Sequence, residues 1–111
     1  MKKDKLYIAH VIECIEKIEQ YTSRGKEDFF VDGMKQDAVL RNLHTLAESS
    51  TRISTELKQH FPDVPWTEMA AFRNVVVHDY LGLELAQIWD IVAIDLPPLK
   101  ASFRSIVQES D

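Results

Sequence analysis

Glycine is scarce in this chain of 111 residues: there are three, with four prolines and one cysteine. So few turn-formers leave little room for tight hairpins and point to long helices. A lone cysteine, Cys14, excludes an internal disulfide, which fits a reducing compartment. Cys14 falls among apolar helical positions and is expected to be a packed thiol. No apolar run approaches the ~20 residues that a membrane span needs. The opening MKKDKLYIAHVIECIEKIEQ starts basic, but acids interrupt it before an apolar stretch forms, so no signal peptide is expected. Together these absences predict a cytoplasmic protein. A basic excess is also lacking. The net charge is −5, which argues against a general nucleic-acid coat but leaves room for a small basic site. Hydrophobic content of 45% and charged content of 28% are those of an ordinary globular chain, and one domain over 1–111 is expected.

What is present is helical periodicity. Ile8, Val11, Ile12, Ile15 and Ile18 recur at three- and four-residue steps, predicting a first helix from about Asp4 to Thr22 with Asp4 as its N-cap. KEDFFVDG reads as a loop or a short helical turn. Val39, Leu43, Leu46, Ser50, Ile53 and Leu57 form one stripe, predicting a continuous second helix that ends near His60, before Pro62 and Pro65. Pro65 suits the first turn of a third helix with Trp66, Met69, Val76 and Val77 on its apolar face. A fourth helix follows from about Leu85, with Ile88, Trp89 and Val92 inward. Pro97-Pro98 should kink or split it, and a short fifth helix is expected over Leu99–Val107. No strand alternation persists. The fold class is all-α, an antiparallel four- to five-helix bundle.

One stretch resists a purely structural reading. RNVVVHDY, Arg73 to Tyr80, sets four polar side chains among three valines. On a helix, Arg73 and Tyr80 share a face with Trp66, Met69 and Val77, so the guanidinium lies on the apolar side. A buried arginine cannot neutralise and needs an anion, either a carboxylate of the chain or a phosphate from outside. His78 lies roughly 140° around the axis from Arg73. The two converge only if the helix ends near His78 or if a second copy of the chain faces the first. Asn74, one turn before His78, could orient its ring. A capping histidine and a snorkelling arginine are the structural alternatives.

The same residues resemble a family signature. Arg73-Asn74, three valines, His78, one residue and Tyr80 is similar to the Arg-x4-His-x-Tyr motif of HEPN domains of the HepT type. DAVLRNLHTLAES, FPDVPW followed by FRN, and IWDIVAIDLPPL resemble the surrounding helices in the expected order. Ser49-Ser50 stands where alanines are more usual, and Ala47 where glycine is preferred.

The resemblance implies a homodimeric, metal-independent endoribonuclease that is the toxin of a toxin–antitoxin pair. Arg73 and His78 would be catalytic with Asn74 in support. A minimal nucleotidyltransferase (MNT) antitoxin would silence the enzyme by placing AMP on Tyr80. The two-fold axis of a homodimer would bring Arg73 and His78 from two chains around one phosphate. No cofactor is implied. His10, His44 and His60 fall at scattered spacings without a ligand pattern and read as surface histidines.

Arg41, His44, Glu48 and Arg52 form a polar stripe on the second helix. It is either a solvated face or a place where Glu48 pairs with Arg73 and an arginine guides RNA. The competing function is a non-catalytic helical partner that holds substrate or nucleotide for a nucleotidyltransferase. A plain oligomerisation bundle leaves Arg73 unexplained.

Overall fold

A computed structural model describes residues 2–67, 69 and 84–110. Among these residues every regular element is helical: α1 (Lys2–Tyr21), α2 (Lys26–Val31), α3 (Gly33–Thr51), α4 (Thr55–His60), α5 (Leu85–Asp90), a π-helical turn (Ile91–Asp95) and α6 (Leu96–Ser110).

The expected stripe of α1 forms its inner face: Ile8, Val11, Ile15 and Ile18 are buried, as is Cys14, while Ile12 is half-buried. This face packs chiefly along α3 and also against α6. Cross-links give both directions. Asp4 meets Ser54 and His10 meets Ser49, so α1 and α3 run antiparallel. Glu16 and Glu19 reach Lys100 and Arg104 at 2.7–3.8 Å, so α6 also runs antiparallel to α1. Exposed ion pairs of this kind add little stability.

The turn out of α1 uses the one backbone position among the described residues that asks for glycine. Gly25 has φ +96°, where a side chain would be strained, and it opens α2. The KEDFFVDG segment thus becomes a real helix of six residues. Its Phe29 is fully buried, and Asp32 caps α3 through Met34 N–H and Lys35 N–H at 3.0 and 3.2 Å.

Three local expectations need correction. Asp4 is not the N-cap of α1, which already starts at Lys2. Asp4 is only 3% exposed, and its carboxylate accepts the Ser54 N–H at 2.7 Å and the Ser54 hydroxyl at 2.6 Å. The Ser54 Oγ in turn accepts Leu57 N–H at 3.1 Å and caps α4. The second correction follows from the first. The stripe from Val39 to Leu57 is buried throughout, but the helix carrying it breaks at Arg52–Ser54, where Asp4 takes the backbone N–H of Ser54.

The third concerns Pro97-Pro98. The helical path from Leu85 to Ser110 is not split there; it widens upstream. Leu96 N–H donates to Ile91 O, the five-residue hydrogen bond of a π-helix, and α6 begins at Leu96 rather than Leu99. The widened turn relieves the clash of each proline ring with the carbonyl four residues back. Both prolines then stand in the first turn of α6, where a missing N–H costs least.

Burial disfavours ionisation of Asp4, but the side-chain and backbone hydrogen bonds of Ser54 outweigh it and hold the pKa below the usual carboxylate value. The resulting stability is complete above the unfolded pKa near ~3.9 and is lost as the pH falls through the lower folded value. Asp4→Ala should cost roughly 2 kcal/mol at neutral pH, read as a drop in melting temperature. Melting curves across the acid range should show the deficit closing as the wild type protonates; a deficit that does not change with pH would exclude the charged form of Asp4 as its source.

Candidate functional site

Arg73, Asn74, His78 and Tyr80 all lie outside the described residues, as do Val76, Val77 and Gly82. The backbone on both sides is described, and it is firmly held. Upstream, Trp66 donates its indole N–H to Phe61 O at 2.9 Å and packs on Phe103 of α6 with ring centroids 5.8 Å apart. Helical bonding starts there, since Met69 N–H reaches Pro65 O at 3.1 Å. This matches the expected start of the third helix. Downstream, Glu84 N–H is capped by Gln87 Oε1 at 2.9 Å. Trp89 then packs on Phe29 with centroids 5.6 Å apart. Two aromatic contacts thus anchor the segments that flank the motif. Pro65 and Met69 share a cavity of about 320 Å³ with Ile91 and Leu96, so the π turn abuts the segment entering the motif.

The polar stripe of the second predicted helix is partly confirmed as a surface feature. Arg41, His44 and Arg52 are exposed and Glu48 is half-buried. His44, Glu48 and Arg52 line one groove, of about 340 Å³, together with Thr45, Ser49 and two residues of α1, Tyr7 and His10. A pairing of Glu48 with Arg73 would involve a residue outside the described ones.

Sequence reasoning did not bring Tyr7, His10 and Ser49 into a site, because nothing local announces which face of α1 meets which face of α3. One signal was available: serines at 49 and 50 where alanines are more usual. Both are buried, and a buried hydroxyl needs a partner. Ser50 Oγ donates to Ala47 O of its own helix at 2.7 Å. Ser49 Oγ instead shares a hydrogen bond with His10 Nδ1 at 2.9 Å, which ties the imidazole to the groove wall.

His10, His44 and His60 are exposed, as expected. Among the described residues no group of three His, Cys, Asp or Glu side chains could hold a metal ion, and no helix there is long and apolar enough to cross a membrane. Cys14 is buried, and burial pushes its thiol pKa up, which disfavours the thiolate that a nucleophile needs.

Residues 11–106 match the family described as Ribonuclease HepT-like. The chain belongs to the HepT-like ribonuclease family, of HEPN type. The matched span contains the whole Arg73–Tyr80 stretch. A Thermococcus cleftensis protein named "Probable ribonuclease HepT" is 36% identical over 95% of this chain and 96% of its own length. A Methanocaldococcus jannaschii protein named "Gamma-glutamylcyclotransferase and putative RNase" is 35% identical over the full chain, which spans 51% of that longer protein. A "Putative RNase" of Caldanaerobacter subterraneus is 29% identical over 98% of each chain. No solved structure matches. The HepT-like span begins after Tyr7 and His10, so the α1 side of the groove lies ahead of it.

The buried state of Cys14 has a direct check. A thiol reagent should label the native protein far more slowly than the protein unfolded in denaturant; equal rates would mean an accessible thiol.

Proposed function

We propose that this HepT-like chain is an endoribonuclease that cleaves RNA by attack of its own 2′-hydroxyl, with Arg73 and His78 as the catalytic pair. The observation that carries the reading is the Arg73-Asn74-x3-His78-x-Tyr80 set inside a span that matches a ribonuclease family. The 2′-oxygen attacks the adjacent phosphorus, the 5′-oxygen leaves, and a 2′,3′-cyclic phosphate remains. The substrate supplies the nucleophile, so the protein has to align it, move protons and offset charge. An imidazole with a pKa near ~6.5 is suited to the proton transfers. A guanidinium can grip two phosphate oxygens and stabilise the charge that builds there. Asn74 would orient His78 or a phosphate oxygen. This chemistry requires no metal.

In this reading two copies pair so that Arg73 and His78 of both chains share one cleft. The enzyme is then a toxin, silenced by a minimal nucleotidyltransferase acting as antitoxin. Tyr80 attacks the α-phosphorus of ATP, pyrophosphate leaves, and AMP stays on the phenolic oxygen. A bulky anion on that face would compete with RNA for Arg73 without any change of fold. The absence of a membrane-spanning helix among the described residues is compatible with a cytoplasmic site of action.

His78→Ala and Arg73→Ala should each lower RNA cleavage by at least about 10²-fold, with helical circular dichroism and mass in solution unchanged. Cleavage by the wild type should persist in EDTA. Full activity in either variant removes that residue from the mechanism. A wild type that leaves RNA intact and does not arrest growth when expressed alone would favour a non-catalytic partner of a nucleotidyltransferase, a role the net charge of −5 also suits. After co-expression with that partner, mass spectrometry should place the adenylate on Tyr80; an adduct confined to another residue rejects this control mechanism.

A further inference from the structure

We infer that the groove between α1 and α3 seats one nucleotide of a single-stranded RNA; this rests on the ribonuclease reading above. The groove, of about 340 Å³, falls in the size range of small-ligand sites. Its side chains offer three kinds of contact that a nucleotide uses together. Arg52 and His44, both exposed, can meet phosphate oxygens. Tyr7, half-buried on the opposite helix and packed against the core, also lines the groove, and an aromatic ring is the kind of group on which bases stack. Glu48 is the carboxylate on this wall, and a carboxylate accepts from a 2′-hydroxyl or an exocyclic amine. A free phosphate or sulfate would use the first kind alone.

His10 supplies the detail that makes this more than an exposed cleft. Ser49, buried at 6% exposure, shares a hydrogen bond with His10 Nδ1, so a ligand meets Nε2. When Ser49 donates to Nδ1, Nε2 carries the proton and turns a donor toward the strand.

The test is fluorescence anisotropy with a short labelled single-stranded RNA and the full chain carrying His78→Ala to stop turnover. Adding Arg52→Ala should weaken binding several-fold and flatten the salt dependence of log affinity by about 0.7, one phosphate contact on a single strand. Tyr7→Leu should weaken it by about tenfold, and Tyr7→Phe should restore it. Arg52 is on the surface, so its variant reports on contact rather than folding, and circular dichroism checks this for all three. Parental affinity and salt slope in both Arg52→Ala and Tyr7→Leu would overturn the inference. So would unchanged RNA binding combined with weaker capture of the nucleotidyltransferase, which would make the groove a protein-docking surface. If the unsubstituted chain binds RNA through these residues yet leaves it uncut, the nuclease reading falls and the groove stands.

Discussion

The bundle turns on a carboxylate at the start of its first helix. Asp4 is buried, and a buried charge is tolerable only with good partners. It finds both in one residue, Ser54, through the backbone N–H and the hydroxyl. Because the Ser54 hydroxyl donates its hydrogen bond to Asp4, its oxygen lone pairs remain to cap α4. One interaction therefore ends α3, starts α4 and sets the register of α1 on α3. That register brings His10 to Ser49 and opens the polar groove beside them. If Asp4 shifted by one helical turn, the apolar faces would still meet, but the groove would lose its composition.

The opposite end of the molecule solves a different problem. Two adjacent prolines lie in the path of a long helix, and the chain answers with a π turn rather than a break. The wider turn lets Leu96, Leu99, Phe103 and Ile106 continue inward on α6. It also lies against Pro65 and Met69, where the segment that carries the motif begins. Trp66 on Phe103 and Trp89 on Phe29 hold the two sides of that segment to α6 and α2. Under the proposed mechanism the segment would gain from such anchored flanks, since small errors in the position of an acid, a base or a phosphate clamp are costly in rate.

Much of the fold was legible from residue spacing. The stripes of α1 and of α3–α4 are the observed core, and the helix near Leu85 has Ile88 buried as expected. The errors share a cause. Asp4 looked like a cap because a short acid near the start of an apolar pattern usually is one. The α3–α4 stripe looked unbroken because a break that keeps the inner face in phase leaves no trace in hydrophobic periodicity. The prolines were expected to kink or split the helix, because a local rule cannot foresee a π turn that absorbs them. For the candidate site, the Arg73–Tyr80 motif was legible as a local pattern. The groove was half legible, as the His44, Glu48 and Arg52 stripe, and Tyr7, His10 and Ser49 were not.

By itself, then, the amino-acid order determined the helical class, the inward faces and a motif compact enough to resemble a nuclease family. Each of these depends on residues within one or two turns of each other, and a helix repeats at 3.6 residues whatever surrounds it. The tertiary structure alone decided that Asp4 clasps Ser54, 50 residues away, and that His10 meets Ser49, 39 residues away. Such pairings arise from how whole helix faces interlock, and no short window of sequence contains both partners.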